Sequence, residues 1–347
     1  MDTKIRFGIV GTGNIAKIHI ECINQIAEAE LVAMAASSEA RAKYVSEHYG
    51  ISAYPDFDQL MERSDIDVVI ICNQSGNHLK PAIAAAKAGK HVLCEKPLEV
   101  NLKRAIHMVE TCEAYGIILG CVFQNRFSSD YLQLKKAVDD GILGKLLMGT
   151  ACINWYRSHN YYSDSAWRGT LKGDGGAALI NQGIHTVDLL LDIMDEPTTV
   201  YGTVSSMVHN IEGEDVAGAI VNFKSGAMAT ITAGTALYPG YPERLEIYGE
   251  KGSVILEGGR VKEWNVKGEP RNKISSKKEL KTGSSNATGI GLELHKLLIE
   301  DMIRAVKKRS EPLVNGNEGL KSLELITKIY ESAQKNTPIE LNSICKY

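Results

Sequence analysis

A short apolar run that closes on two glycines constrains this chain more than any other stretch of it: Phe7-Gly8-Ile9-Val10-Gly11-Thr12-Gly13-Asn14-Ile15-Ala16. Residues 4–10 read as a buried strand, Gly11 permits a tight turn, and Gly13 removes the side chain that would block close approach of a phosphate. Ala16 lets the following helix lie close against the strand. The first helical residues, Asn14 and Ile15, present free backbone N–H groups to an anion. A lone Gly-x-Gly-x-x-Ala is an ordinary turn. A strand before it and a helix after it turn it into a cradle for the pyrophosphate of a dinucleotide, with Gly11, Gly13, Asn14 and Ile15 as the contacts.

The 347 residues suggest two domains of usual size. The net charge of -3 is spread along the chain without a basic cluster, so small molecules are the expected partners and nucleic acid is not. Apolar runs such as Val68 to Cys72 are too short to span a bilayer, and residues 1–4 lead into a strand without a signal-peptide pattern. The expectation is a cytoplasmic protein with no membrane partner. Seven cysteines, at positions 22, 72, 94, 112, 121, 152 and 345, include no C-x-x-C pair. Their odd number and spacing argue against a disulfide framework and a zinc cluster, so reduced, mostly buried thiols and no metal are expected.

Apolar strands then alternate with helical patterns. Strands are predicted at 4–10, 30–37, 67–72, 90–94 and 117–123, with helices at 14–26, 39–49, 77–88 and 101–115. This is the signature of a doubly wound parallel sheet, a Rossmann domain over residues 1–124. Residues 125–347 read as a second, α/β domain with a large, mostly antiparallel sheet. Its predicted elements are a helix at 127–140 and strands at 146–156, 199–208, 215–223, 227–235, 243–249, 252–257 and 260–266. Lys224-Ser225-Gly226 makes a hairpin turn. Residues 268–290 read as a mobile loop before helices at 291–308 and 317–335.

Polar residues at the carboxyl ends of the buried strands are candidates for ligand contact, because ligands bind at that edge of such sheets. Cys72-Asn73-Gln74-Ser75-Gly76-Asn77-His78 offers Asn73 and His78 to the cofactor, although a histidine at a helix start also serves as a cap or packing residue. Cys94-Glu95-Lys96-Pro97 places a charged pair after buried Val92 and Leu93. Burying a lone ammonium costs several kcal/mol, so Glu95 and Lys96 either reach solvent or line a polar pocket. Pro97 keeps Lys96 out of helical geometry.

Beyond Gly173-Asp174-Gly175-Gly176, the stretch Ala177 to Met194 is apolar on nearly every side except at Asn181, His185, Asp188 and Asp192. Their spacing of 4, 3 and 4 stacks them along one stripe of a helix. Asn181 and His185 are read as functional, and Asp192 as solvent-facing. Upstream, Tyr156, Arg157, Tyr161, Tyr162, Trp167 and Arg168 interleave aromatic faces with guanidinium groups. That mixture suits a sugar ring, a carboxylate or a diphosphate, and equally a packed domain interface.

Together the glycine turn, Glu95-Lys96-Pro97, Gln124-Asn125-Arg126 and the Asn181-to-His185 pair resemble the Gfo/Idh/MocA oxidoreductases across nearly the whole chain. Within that family, Tyr161-Tyr162, Trp167-Arg168-Gly169-Thr170 and Asn181-Gln182 look similar to UDP-N-acetylglucosaminuronate 3-dehydrogenases. The resemblance implies an NAD(P)-dependent dehydrogenase acting on a sugar or nucleotide-sugar hydroxyl, assembled as a homodimer or homotetramer through its open sheet. It makes Lys96 and His185 catalytic and puts Glu95, Lys96 and Asn125 beside the cofactor. Arg126, Tyr156, Tyr162, Trp167, Arg168, Asn181 and His185 become substrate contacts.

The expected chemistry is a substrate hydroxyl between Lys96 and His185, giving up its proton as hydride leaves for nicotinamide. Two departures from the family stand out. Asn181 replaces the aspartate many members carry, and the acidic residue that usually ends the second strand is absent from Ala35-Ala36-Ser37-Ser38-Glu39. Ser37, Ser38 and Arg41 accommodate a 2′-phosphate, so NAD and NADP both stay open, with Glu39 as an alternative acid. Other readings are a free-sugar or inositol dehydrogenase and a non-catalytic dinucleotide sensor.

Overall fold

The computed structural model describes residues 4–270 and 291–341. The stretch read as a mobile loop lies outside these residues from 271 onward, as does Cys345. The chain forms two compact units, Met1–Gln124 with Leu292–Leu320, and Asn125–Gly291 with Lys321–Tyr347. The return of 292–320 to the first unit corrects the expectation that everything after 124 belongs to the second domain. A helix read from periodicity alone carries no record of which sheet its apolar face covers.

In the first unit, β1 (Ile5–Val10), α1 (Asn14–Gln25), β2 (Ala29–Ala35), α2 (Glu39–Tyr49), β3 (Ser52–Tyr54), α3 (Phe57–Met61), β4 (Val68–Ile71), α4 (Leu79–Lys87), β5 (His91–Cys94), α5 (Leu102–Ala114) and β6 (Leu119–Cys121) follow one another. The strands pair in parallel in the order β3-β2-β1-β4-β5-β6. Central β4 is Val-Val-Ile-Ile and buried at every position, as a strand covered on both faces must be. β3 and α3 escape the sequence reading because three and five residues are too few to show a period. Order reverses between β1 and β4, which opens a crevice beyond their carboxyl ends.

The second unit contains α6 (Ser129–Asp139), β7 (Leu146–Asn154), α7 (His159–Ser163), a π-turn at Ala178–Gly183, α8 (Ile184–Ile193), β8 (Pro197–Ser205), β9 (Val216–Phe223), β10 (Met228–Gly234), β11 (Arg244–Gly249), β12 (Gly252–Glu257) and β13 (Arg260–Val266). Helices α9 (Glu293–Lys308) and α10 (Gly316–Lys335) and the short β14 (Ile339–Glu340) complete the chain. The eight strands run β13-β12-β11-β7-β10-β9-β8-β14, antiparallel except for the β10–β7 pair. The expected hairpin is present: Gly226 adopts φ +87°, and the Phe223 N–H donates to the Ala227 carbonyl.

Alternation decides which face is covered. Ala217, Ala219, Val221 and Phe223 of β9 point into the core, whereas Ile220 and Asn222 are exposed. Helix α8 packs so closely on the covered face that a Cβ at Gly149 would stand 2.7 Å from Leu190. No helix among the described residues is long and apolar enough to cross a membrane.

Candidate active site

Gly11 adopts φ +109°, and a Cβ there would fall 2.6 Å from the Cys72 carbonyl oxygen, so glycine is required for β1 and β4 to leave the sheet side by side. Gly13 differs, because a Cβ there meets nothing within 4 Å. The space over Gly13 is open, at the start of α1, where Asn14 is exposed and Ile15 half-buried. Across the crevice, Asn73 donates its amide to the Asn77 carbonyl, while its own Oδ1 is buried without a partner among the described residues. An orphaned acceptor beside an open phosphate cradle fits a dinucleotide.

Ser37 and Ser38 are exposed after β2, and Ser38 caps α2 by accepting the Arg41 N–H. Arg41 folds back over the glycine loop, donating to Thr12 Oγ1 at 3.0 Å and to the Thr12 carbonyl at 2.9 Å. Its guanidinium lies 5.0 Å from the Tyr44 ring. Glu39 is exposed in the first turn of α2.

Lys96 follows β5 and is half-buried. Two expected cofactor contacts beside it are corrected. Glu95 is only 6 % exposed, with Oε1 2.8 Å from His19 Nε2 and Oε2 accepting the Lys96 backbone N–H at 3.2 Å. Burial works against its ionisation, but the His19 hydrogen bond and nearby positive charge, Lys96 included, outweigh it and hold the carboxyl at about 2.

His78 is 1 % exposed, with Nδ1 2.9 Å from the Pro97 carbonyl and Nε2 3.1 Å from the Asn73 carbonyl. Burial lowers its pKa, so the neutral ring donates to one of these carbonyls. His78 therefore braces two loops rather than facing a ligand, the packing role left open in the sequence.

In the second unit, the helix expected from Ala177 onward begins instead as the π-turn, a feature often found at functional positions. Buried Glu214 holds its start, accepting the Ala177 and Leu179 N–H groups and the Tyr330 hydroxyl. Burial raises the Glu214 pKa. Asn181 and His185 are both half-buried, four residues apart, in a segment otherwise almost wholly covered. The Asn181 amide donates to Asp174, itself 1 % exposed, while Asn181 Oδ1 accepts from Gln182 Nε2 at 2.6 Å. Gln182 accepts from Arg157 in turn, at 2.6 Å. Two side-chain amides thus lie head to tail between a guanidinium and a carboxylate, which fixes how the Asn181 amide is turned.

The stripe does not continue as expected. Asp188 is buried and takes Arg126 Nε and Nη2 at 2.8 Å each. Asp192 accepts from Arg126 Nη1 at 3.1 Å and from the Tyr131 hydroxyl, so it does not simply face solvent. Arg126 is 3 % exposed within this network, and its role as a substrate contact is corrected to that of a buried ion-pair partner. Its neighbour Asn125 is half-buried in the turn Gln124–Phe127.

The aromatic segment divides similarly. Tyr162 is buried and donates to Thr235 Oγ1 at 2.8 Å, which removes it from the substrate contacts. Tyr161, Trp167 and Tyr156 are half-buried, and the Arg168 guanidinium lies 4.3 Å from the Tyr161 ring and 5.9 Å from the Trp167 ring. Tyr156 packs edge-on against Tyr238 at 5.3 Å. Four residues, His19, Asp174, Glu214 and His295, go unmarked in the sequence. His19, Glu214 and His295 lie among other charged residues, so no signal along the sequence sets them apart.

A doubly wound sheet with an open glycine cradle, joined to an eight-stranded α/β unit carrying a half-buried Asn-His pair, defines an NAD-binding oxidoreductase. Residues 5–123 match the oxidoreductase family with an NAD-binding Rossmann fold, and residues 131–255 match the GFO/IDH/MocA C-terminal domain. The chain belongs to the Gfo/Idh/MocA oxidoreductase family. The crystal structure of the WlbA dehydrogenase from Bordetella pertussis, in complex with NADH and UDP-GlcNAcA, is similar at 32% identity and a TM-score of 0.87, over 98% of this chain and 99% of that one. The myo-inositol 2-dehydrogenase of Thermotoga maritima is 29% identical over 98% of this chain and 99% of its own. The inositol 2-dehydrogenase of Rhizobium meliloti is 26% identical over 97% and 99%.

The two glycines predict separable defects. Gly13→Val should fold with a melting temperature near that of the parent yet bind NADH about tenfold more weakly or worse, by fluorescence titration. Gly11→Ala should lose thermal stability as well. Equal NADH affinity in Gly13→Val and the parent would contradict the cradle.

Proposed function

We propose that this chain oxidises a hydroxyl of a nucleotide-sugar acid, the 3-hydroxyl of a UDP-sugar acid, using NAD. The observation that carries this reading is Arg168. Its guanidinium donates to the Tyr161 carbonyl, is half-buried against Tyr161 and Trp167, and forms no ion pair among the described residues. A cation framed by aromatic faces suits a sugar carboxylate or diphosphate. Similarity to a dehydrogenase crystallised with NADH and UDP-GlcNAcA supports the same substrate class.

In this reading Gly11, Gly13, Asn14, Ile15 and Asn73 hold the dinucleotide, with Ser37, Ser38 and Arg41 at its ribose. The bound nicotinamide supplies the hydride acceptor. Lys96 takes the hydroxyl proton and His185 assists, a contribution of about 10²- to 10⁴-fold for proton transfer of this kind. Asn181, held by Asp174 and Gln182, has no carboxylate to give and serves to orient the substrate. A second reading, oxidation of a free cyclitol, is favoured by full-length similarity to the inositol dehydrogenases. We also propose that the exposed sheet face bearing Met148, Tyr201, Ile220 and Met228 pairs with a second copy of this chain.

Absorbance at 340 nm, followed with NAD and NADP against UDP-sugar acids, UDP-sugars, free sugars and inositols, tests the substrate. Reduction of NAD by a UDP-sugar acid alone is expected; reduction by inositols alone would replace the first reading with the second. Light scattering in solution should give a multiple of the chain's 37.9 kDa, and a monomeric mass would refute the paired sheet.

A further inference from the structure

The buried group immediately behind Lys96 has no place yet in the proposed chemistry. His19 on α1 is 0 % exposed, Glu95 6 % and His295 on α9 1 %. His19 Nδ1 has no hydrogen-bond partner among the described residues, so hydrogen bonding selects the tautomer with its hydrogen on Nε2, donated to Glu95 Oε1 at 2.8 Å. His295 packs edge-on against His19, with ring centroids 5.6 Å apart. The other carboxylate oxygen takes the Lys96 peptide N–H. A buried carboxylate is costly and contributes less to stability than a well-packed apolar side chain of the same size. Here it sits one residue from the proposed proton acceptor and grips that residue's own backbone.

We propose that His19 and Glu95 are positioning residues for Lys96: the buried pair holds a permanent negative charge beside the lysine and anchors its peptide, which sets the proton affinity of the amine. This rests on the reading of Lys96 as the proton acceptor. An amine with a fixed counter-charge is the stronger acceptor, because the ammonium formed when the substrate hydroxyl loses its proton is stabilised where it forms. Of the groups that keep Glu95 charged against its burial, His19 contributes most. Without its hydrogen bond, burial is opposed by fewer groups, the balance shifts toward the neutral carboxyl, and the counter-charge of Lys96 weakens. Among the described residues, the titratable groups facing Glu95 include His19, His295, Lys96, His78, Cys72 and Cys94. The His19 side chain donates its Nε2–H to the carboxylate.

The test needs no substrate. The rate of Lys96 acetylation by acetic anhydride is followed against pH on the intact protein by peptide mass spectrometry, and its midpoint reports the proton affinity of the amine. Glu95→Gln and His19→Leu should each lower that midpoint by about one pH unit. His19→Gln, whose amide still donates to the carboxylate, should keep it at the parent value. An unchanged midpoint in Glu95→Gln overturns the proposal. So does a His19→Gln midpoint that falls as far as that of His19→Leu, or a His19→Leu midpoint equal to the parent's. Because the readout is independent of turnover, its failure is distinguishable from failure of the sugar-acid reading, which the absorbance panel alone decides.

Discussion

The approach of Gly11 to Cys72 is the contact on which the first unit depends. A side chain at Gly11 would collide with the Cys72 carbonyl, so β1 and β4 leave the sheet together only because that position is glycine. From that contact the arrangement follows through the backbone. Cys72 leads into Asn73, whose carbonyl meets one nitrogen of His78, and the other nitrogen of His78 meets the carbonyl of Pro97. Pro97 follows Lys96. The loop that bears the proposed proton acceptor is thus braced by the loop that lines the crevice.

The second unit uses charge in the same way. Arg126 and Asp188 are both nearly fully buried, and removing one partner of such a pair costs about 3–5 kcal/mol. An exposed pair such as Lys135 and Asp139 is worth about 0–1 kcal/mol. The buried network fixes α8 from below, and Glu214 fixes the π-turn above it. Asn181 and His185 are left between two anchored ends, and the Arg157-Gln182-Asn181-Asp174 chain removes the remaining freedom of the Asn181 amide. Rigidity of this kind suits a group that must orient a hydroxyl.

Most of the fold was legible because it is written in periodicity. Buried parallel strands read as continuous apolar runs, and the half-covered strands of the second sheet read as alternation. The glycine cradle was legible because Gly11 answers a steric demand that no other residue meets, with Gly13 two residues on at the start of the helix. The exact partners of charged residues were not. Arg126, Glu95 and His78 stand at sequence positions where ligand contacts are common, and each is instead held by a group distant in sequence: Asp188, His19 and the Pro97 carbonyl. Spacing along one helix cannot report a partner on another element. The same limit concealed the return of residues 292–320 to the first unit.

Lys96 is the residue on which the proposed cofactor, substrate and buried-pair roles converge. Lys96→Met should be assayed for NADH formation from a UDP-sugar acid at 340 nm, alongside NADH affinity by fluorescence. Turnover should be lost while NADH binds as it does to the parent; parent-like turnover in Lys96→Met would contradict a catalytic role for Lys96.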